Sequence, residues 1–387
     1  MLTEAQNKVV IAIPVLLTGG TEIQTLNLVK VLYGAGYGVV VLCYYEYKSE
    51  MVGYMEKAGA EVILLKLQRE DGLLSLLKKL IVLFKALSPD IVHVQYVAPG
   101  LIPIIAARLA GIKKVIATVH QPGRTYGWKA RLMLRFGARL CNLFLCVSKS
   151  AEESWFGDSA FFDPELFKKG RNHFTIYNAV DSERIAREAG SKNVAQLRSS
   201  LNLAGKKVVG YVGRLRWEKG PHILIAAFAK VVQEIPKTVL LVVGDGPDRE
   251  DLESQAKKIG IETSIIWLCQ KSQQDVFQFY GIMDVVAVPS IFEGFGLVAA
   301  EAMAAGLPVV GTAVDGLAEI IIDNETGRLV PPQDADTLAV ALIMLLASPK
   351  TASMMGSKGQ QRVEQHFSLQ RFSECTLAAY EASQGRR

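Results

Sequence analysis

The stretch Val285-Val-Ala-Val-Pro-Ser-Ile-Phe-Glu-Gly-Phe-Gly-Leu-Val-Ala-Ala-Glu301 decides the reading of the whole chain. Val285 to Val288 form a short apolar run with no polar alternation, the pattern of a parallel strand covered on both faces. A helical segment then runs to Gly306-Leu-Pro308, a glycine followed by a proline stop. Between them, Gly294 and Gly296 let the backbone approach a ligand closely. The first amides, around Phe295 to Val298, are unpaired donors at the positive end of the helix dipole and so make a phosphate site out of backbone. Glu301 lies roughly 7 Å along the axis at about 1.5 Å per residue. That is beyond contact repulsion with a phosphate and suits a ribose diol, while Glu293, ahead of the helix, reaches towards a sugar. Taken alone, the stretch also reads as an ordinary strand-to-helix turn.

Working outward, the same alternation recurs along the chain. Apolar β-branched runs are expected as strands at residues 9–16, 39–44, 62–66, 91–95, 115–119, 143–147 and 175–177, with helical stretches such as 22–33, 73–87 and 98–109 between them. A second series follows at 208–212, 239–243, 265–268, 285–288, 308–311 and 328–330. Such alternation predicts an α/β protein of parallel sheets with helices on both faces. After the turn at Asn178–Asp181, a polar helix-like stretch (182–201) precedes the restart, which places a domain boundary near residue 190. The expected division is residues 1–190, residues 191–366 and a final segment 367–387. Ligands of open α/β sheets bind outside the carboxyl ends of the strands, so the cleft between two such domains is the expected active site.

Bulk properties narrow the class. A chain of 387 residues suits two domains, and half of it is hydrophobic with 33 glycines. Apolar runs at 97–112 and 73–87 are broken by Pro103 and Arg108 and by Lys78, Lys79 and Lys85, so no membrane span is expected. The segment 9–17 runs into Thr18-Gly19-Gly20 without a cleavage pattern and reads as a buried first strand, not a signal peptide. Five scattered cysteines read as reduced thiols of a cytoplasmic protein, with no disulfide framework or zinc site. The net charge is +5, yet residues 91–151 contain nine basic side chains and no acidic one, a field that attracts phosphates, acidic glycans or anionic lipid headgroups.

Gly213-Arg-Leu-Arg-Trp-Glu-Lys-Gly220 follows the first strand of the second series, so Arg214 and Lys219 can reach a diphosphate from that strand's end. Here the sequence resembles the retaining glycosyltransferases of family 4, which have the GT-B architecture of two facing Rossmann-like domains. The resemblance rests on Glu293 and Glu301, Val212-Gly-Arg-Leu215 with Lys219-Gly220, Gly244-Asp-Gly-Pro247 and Glu301-Ala-Met-Ala-Ala-Gly-Leu-Pro308. Glu319-Ile320, Thr326-Gly327 and Pro331-Pro332 continue it. In the first half it includes Gly19-Gly-Thr-Glu22, Pro89-Asp-Ile-Val-His93, Thr118-Val-His120, Ser148-Lys-Ser150 and Tyr177-Asn-Ala-Val-Asp181.

The resemblance implies a role for each matching residue. Arg214 and Lys219 would neutralise the diphosphate of a nucleotide-sugar donor, a UDP- or GDP-sugar, aided by the amides of Phe295, Gly296 and Leu297 beside Gly294. Glu301 would hold the ribose and Glu293 the sugar. His120 would hydrogen-bond the sugar near the reaction centre, Gly19 and Gly20 would let the first loop approach the donor, and the final helix, about residues 369–382, would cross back onto the first domain. His93 and Arg124 fall on the acceptor side, although His93, at a strand end, reads equally as a core histidine. Two cations and a helix terminus can stabilise a departing diphosphate without metal or other cofactor. The family's retention is attributed to front-side attack assisted by the leaving phosphate, and no protein nucleophile is assigned. Asp334-Ala-Asp336 opens a helix and reads as a cap.

The implied acceptor is a glycan or a polyprenyl- or lipid-linked glycan, in the synthesis of cell-surface polysaccharide, lipopolysaccharide or glycolipid. No nucleic-acid partner is implied. The segment 128–140 places Arg131, Arg135 and Arg139 on one helical face, with Leu132, Leu134 and Phe136 elsewhere around it. That face reads either as solvated or as docking on an anionic membrane, which would put the protein at the inner face of the cell membrane. Gln95, Cys269-Gln270 and Asp315 depart from the family pattern, and residues 159–174 form an enlarged loop. Two rivals are a nucleotide-sugar epimerase and a non-catalytic sugar-nucleotide binder. The acid-free span gives His120 no carboxylate partner for the first, and all of Arg214, Lys219, Glu293 and Glu301 are present against the second.

Overall fold

The computed structural model describes residues 7–96 and 100–385. Residues 97–99, which open the apolar run 97–112 and the helix expected from 98, lie outside it; the helix there runs Leu101–Leu109. The chain divides into two units, residues 1–179 with 370–387 and residues 180–369.

The first unit holds seven strands: β1 Lys8–Ile13, β2 Gly38–Cys43, β3 Glu61–Leu64, β4 Ile91–Tyr96, β5 Lys114–Val119, β6 Leu143–Cys146 and β7 His173–Thr175. They pair in parallel in the order β3-β2-β1-β4-β5-β6-β7. Successive side chains of a strand alternate between faces. Accordingly Val10, Ala12, Val40 and Leu42 meet Leu80, Phe84, Ile104 and Trp155 on one side. Val9, Ile11, Val39 and Val41 meet Leu28, Val29, Met55 and Tyr380 on the other. Each fully buried aliphatic side chain contributes about 1.5–3 kcal/mol, and this double coverage leaves the strands no polar face.

The second unit holds β8 Lys207–Val212, β9 Thr238–Val243, β10 Ile265–Leu268, β11 Val285–Val288, β12 Val309–Thr312 and β13 Gly327–Val330, in the parallel order β10-β9-β8-β11-β12-β13. The stretch 182–201, expected as one helix, is two, Ser182–Ala189 and Asn193–Ser200. The first is capped by Asp181, whose side chain accepts from the Arg184 amide, and buries Ile185. Both pack on the Gln273–Tyr280 helix, which draws this stretch into the second unit. The division therefore falls at 179/180, before the expected position near 190, and the final helix Leu369–Gly385 is part of the first unit from Gln370.

In each sheet the order reverses once, between β1 and β4 and between β8 and β11. Outside the carboxyl ends at such a reversal, the following loops part to opposite faces and leave a crevice. The fold thus fixes where each unit has room for a ligand.

Candidate functional site

At the β8/β11 reversal two loops meet. Gly220 takes a left-handed conformation (φ 67°), and a Cβ there would lie 2.0 Å from the Pro289 carbonyl oxygen. Only glycine permits that approach. Alongside it, the Ile291 amide donates to Glu218 O at 2.9 Å. The stitched loops bring Lys219 onto Glu293, Nζ to Oε2 at 2.7 Å, with side chains 34% and 17% exposed. Ser290 Oγ donates to the same oxygen at 3.2 Å. Arg214 projects from the same loop and is exposed; the Tyr211 hydroxyl holds its carbonyl at 2.9 Å.

Gly294 and Phe295 are buried, and Gly296 caps the Leu297–Ala304 helix with φ 107°. A Cβ at Gly296 would lie 2.6 Å from Leu317 Cδ2, so the helix start depends on glycine for space as well as conformation. Asp315, at φ 35° and buried, accepts from the Glu293 amide at 3.4 Å. Glu301 is half-buried on the helix and accepts from the Tyr280 hydroxyl at 2.9 Å. Burial pushes its carboxyl up to about 7, and the Tyr280 hydrogen bond pulls the other way. The structure thus brings Lys219, Glu293 and the Gly296 helix start together, and sets Glu301 on the same helix.

At the β1/β4 reversal of the first unit the side chains differ in kind. Gly19, extended at φ −155°, precedes the Gly20–Gly34 helix. His120 follows β5, with Nε2 2.7 Å from Gln95 Oε1. An amide oxygen only accepts, so Nε2 carries the proton. Burial lowers His120 to about 4 and His93 to about 3, the latter helped by His120 nearby. His93 is 2% exposed, with Nδ1 2.6 Å from the Tyr380 hydroxyl and Nε2 2.7 Å from Thr118 Oγ1. Both ring nitrogens are engaged inside the unit, the arrangement of a core histidine. Arg124 is exposed in the Gly123–Thr125 turn.

Sequence reasoning missed Tyr280 and Ser290, which hold the two glutamates, and the structural use of Gln95, noted there only as a departure. A tyrosine closing the helix before β11 carries no local signal, because its partner lies 21 residues on. Asp334 accepts from the Asp336 and Thr337 amides, as a cap does, and Asp336 pairs with Lys230 at 2.6 Å.

The description "Glycosyl transferases group 1" matches residues 194–362, and "Glycosyltransferase Family 4" matches residues 18–159. N-acetyl-alpha-D-glucosaminyl L-malate synthase of Bacillus anthracis is 30% identical over 298 residues, 76% of this chain and 73% of its own length. The GDP-mannose-dependent alpha-(1-6)-phosphatidylinositol monomannoside mannosyltransferase of Mycolicibacterium smegmatis is 30% identical over 268 residues, 66% of each chain. Among solved structures, Anabaena Alr3699/HepE in complex with UDP-glucose superposes with a TM-score of 0.81 at 22% identity, over 97% of this chain and 100% of that one, a likeness of fold. With parallel α/β units of GT-B type and both halves matched, the chain belongs to the group 1, family 4 glycosyltransferases.

Proposed function

We propose that the protein transfers a sugar from a UDP- or GDP-sugar to a glycan or lipid-linked acceptor, with retention and without a metal, in cell-surface polysaccharide, lipopolysaccharide or glycolipid synthesis at the cytoplasmic face of the cell membrane. The observation that carries the donor class is the Lys219–Glu293 pair beside the Gly296-capped helix. An ion pair still in reach of water is worth little in itself, so a diphosphate can take over Lys219 at small cost. The exchange releases Glu293 for the sugar hydroxyls. As the nucleoside diphosphate departs, charge grows on oxygens that Lys219, Arg214 and the first helix amides can meet, where electrostatic stabilisation is most effective. Glu301 takes the ribose, and His120, neutral with Nε2 on Gln95, hydrogen-bonds the sugar. Gly19 and Gly20 border the donor and Arg124 the acceptor. UDP-glucose in the solved relative and GDP-mannose in the name of another support these two nucleotides as the first to test.

The test is a thermal-shift panel of UDP-, GDP-, ADP- and dTDP-sugars. A donor at about a hundred times its dissociation constant adds roughly 2.7 kcal/mol. A shift by one nucleotide class, with release of its diphosphate on adding acceptor, is the expected result. Silence across the whole panel overturns the reading.

A further inference from the structure

The helix Trp128–Arg139 turns the wrong residues outward for a helix that faces water. Trp128 is 68% exposed, Leu132 58%, Phe136 52% and Met133 43%, while Leu134, Gly137 and Ala138 face inward. Trp128, Leu132 and Phe136 are four residues apart and form one row. Of the seventeen large hydrophobic side chains exposed among the described residues, four lie on this helix, and four more lie on Leu101–Leu109, which packs against it, and on Gly72–Leu87, which packs against Leu101–Leu109 in turn. Clustered exposure of this kind marks an interaction surface.

The charges on the same arc are all positive. Lys129 and Arg139 are exposed, with Lys129 Nζ 5.7 Å from the Trp128 ring centre. Arg131 and Arg135 turn back to the carbonyl oxygens of Gly123 (3.4 Å) and Trp155 (2.7 Å). The arginine row that the sequence singles out is thus partly tied to backbone, and the outer face is apolar with cations set into it. On the adjacent helix Lys149–Phe156, Glu152 is fully buried against Arg171, and Glu153 accepts from Ser159 Oγ. A second copy of this face would set cation against cation. Among the described residues no single helix is long and apolar enough to cross a membrane.

We propose that this helix docks the protein on an anionic phospholipid bilayer. Trp128, Leu132, Met133 and Phe136 enter the boundary between headgroups and acyl chains, and Lys129 and Arg139 lie among the lipid phosphates. The docking itself is independent of the transferase reading; only the delivery of a lipid-linked acceptor rests on it.

The full chain is to be co-sedimented with vesicles of 3:7 phosphatidylglycerol and phosphatidylcholine, and with phosphatidylcholine alone. Binding to the first, weakened by salt and lowered about a hundredfold in Trp128→Ala/Leu132→Ala/Phe136→Ala, is expected. Wild-type tryptophan emission should shift to the blue on anionic vesicles, and Trp128→Phe should lose that shift. No binding at low salt, equal binding by the triple variant, a full blue shift in Trp128→Phe, or a dimer that the variant dissociates would each overturn the proposal. The donor-induced thermal shift is measured on the same samples and should be unchanged, so failure of docking and failure of the donor assignment are separable.

Discussion

The two sheet reversals stand at equivalent places in their units and are furnished in opposite ways. At β8/β11 the side chains are charged and within reach of water, with Lys219 on Glu293 and Arg214 exposed. At β1/β4 they are neutral, His93 buried and His120 half-buried, both held uncharged by desolvation and fixed by Tyr380, Thr118 and Gln95. A charged pair at partial exposure can change partners; His93, buried with both nitrogens spent, cannot. One reversal carries charges that can change partners, and the other holds a geometry.

The largest effect should come from breaking the charged side. Lys219→Ala is expected to cut kcat/KM about 10²–10³-fold, roughly 3–4 kcal/mol of transition-state stabilisation, as read by diphosphate release. Lys219→Ala/Glu293→Ala should lose less than the sum of the single losses, because the two act as a unit. Wild-type turnover in Lys219→Ala would remove the comparison's charged half.

Next comes the neutral side. His93→Ala should cost about 2–4 kcal/mol of stability, since it opens a cavity and leaves Tyr380 and Thr118 without their partner. The donor-induced shift in melting should survive. His120→Ala should do the reverse, losing turnover while melting nearly as wild type.

Acid should separate the melting transitions of the two units. The folded pKa values of His93 and His120 lie below the ordinary 6.5. Their contribution is therefore present above pH 6.5 and is lost as pH falls towards about 4 and 3. Glu301 is raised from 4.5 to about 7, so its contribution is present below pH 4.5 and is lost as pH rises through 7. Each group contributes a slope of at most about 1.4 kcal/mol per pH unit within its window. Scanning calorimetry from pH 7.5 to 5 should lower the first unit's transition relative to the second's; parallel movement would contradict this. Donor KM should rise below pH 7 as Glu301 loses an acceptor, and Glu301→Gln should flatten that rise.

The smallest change is Tyr280→Phe, about 1 kcal/mol in donor binding. It should move the rise in donor KM to higher pH, because the hydroxyl that favours the Glu301 carboxylate is gone.

Much of this was readable from the residues, for identifiable reasons. The strands announce themselves because burial on both faces forces uninterrupted apolar runs. The loops after β8 and β11 do so because Gly220 and Gly296 stand where only glycine fits. Lys219 and Glu293 could be named singly, but their pairing spans 74 residues and depends on how two loops dock. His93 stayed open between core and acceptor because what closes it in, Tyr380, lies 287 residues further on. The Trp128–Arg139 helix defeated inside-outside reasoning, since its large apolar residues face out and its arginines partly bend back.

The return of the Leu369–Gly385 helix to the first unit has a consequence for the order of manufacture. Chains leave the ribosome amino end first, and domains tend to fold as they emerge. Here the unit begun first is finished last: Tyr380, which covers the sheet and completes the His93 hydrogen bonds, emerges only after the second unit has been made. A released chain that ends at residue 369 should carry a folded second unit and a first unit that lacks its closing wedge. Shortening the chain by one helix would then be felt mainly at the opposite end of the sequence.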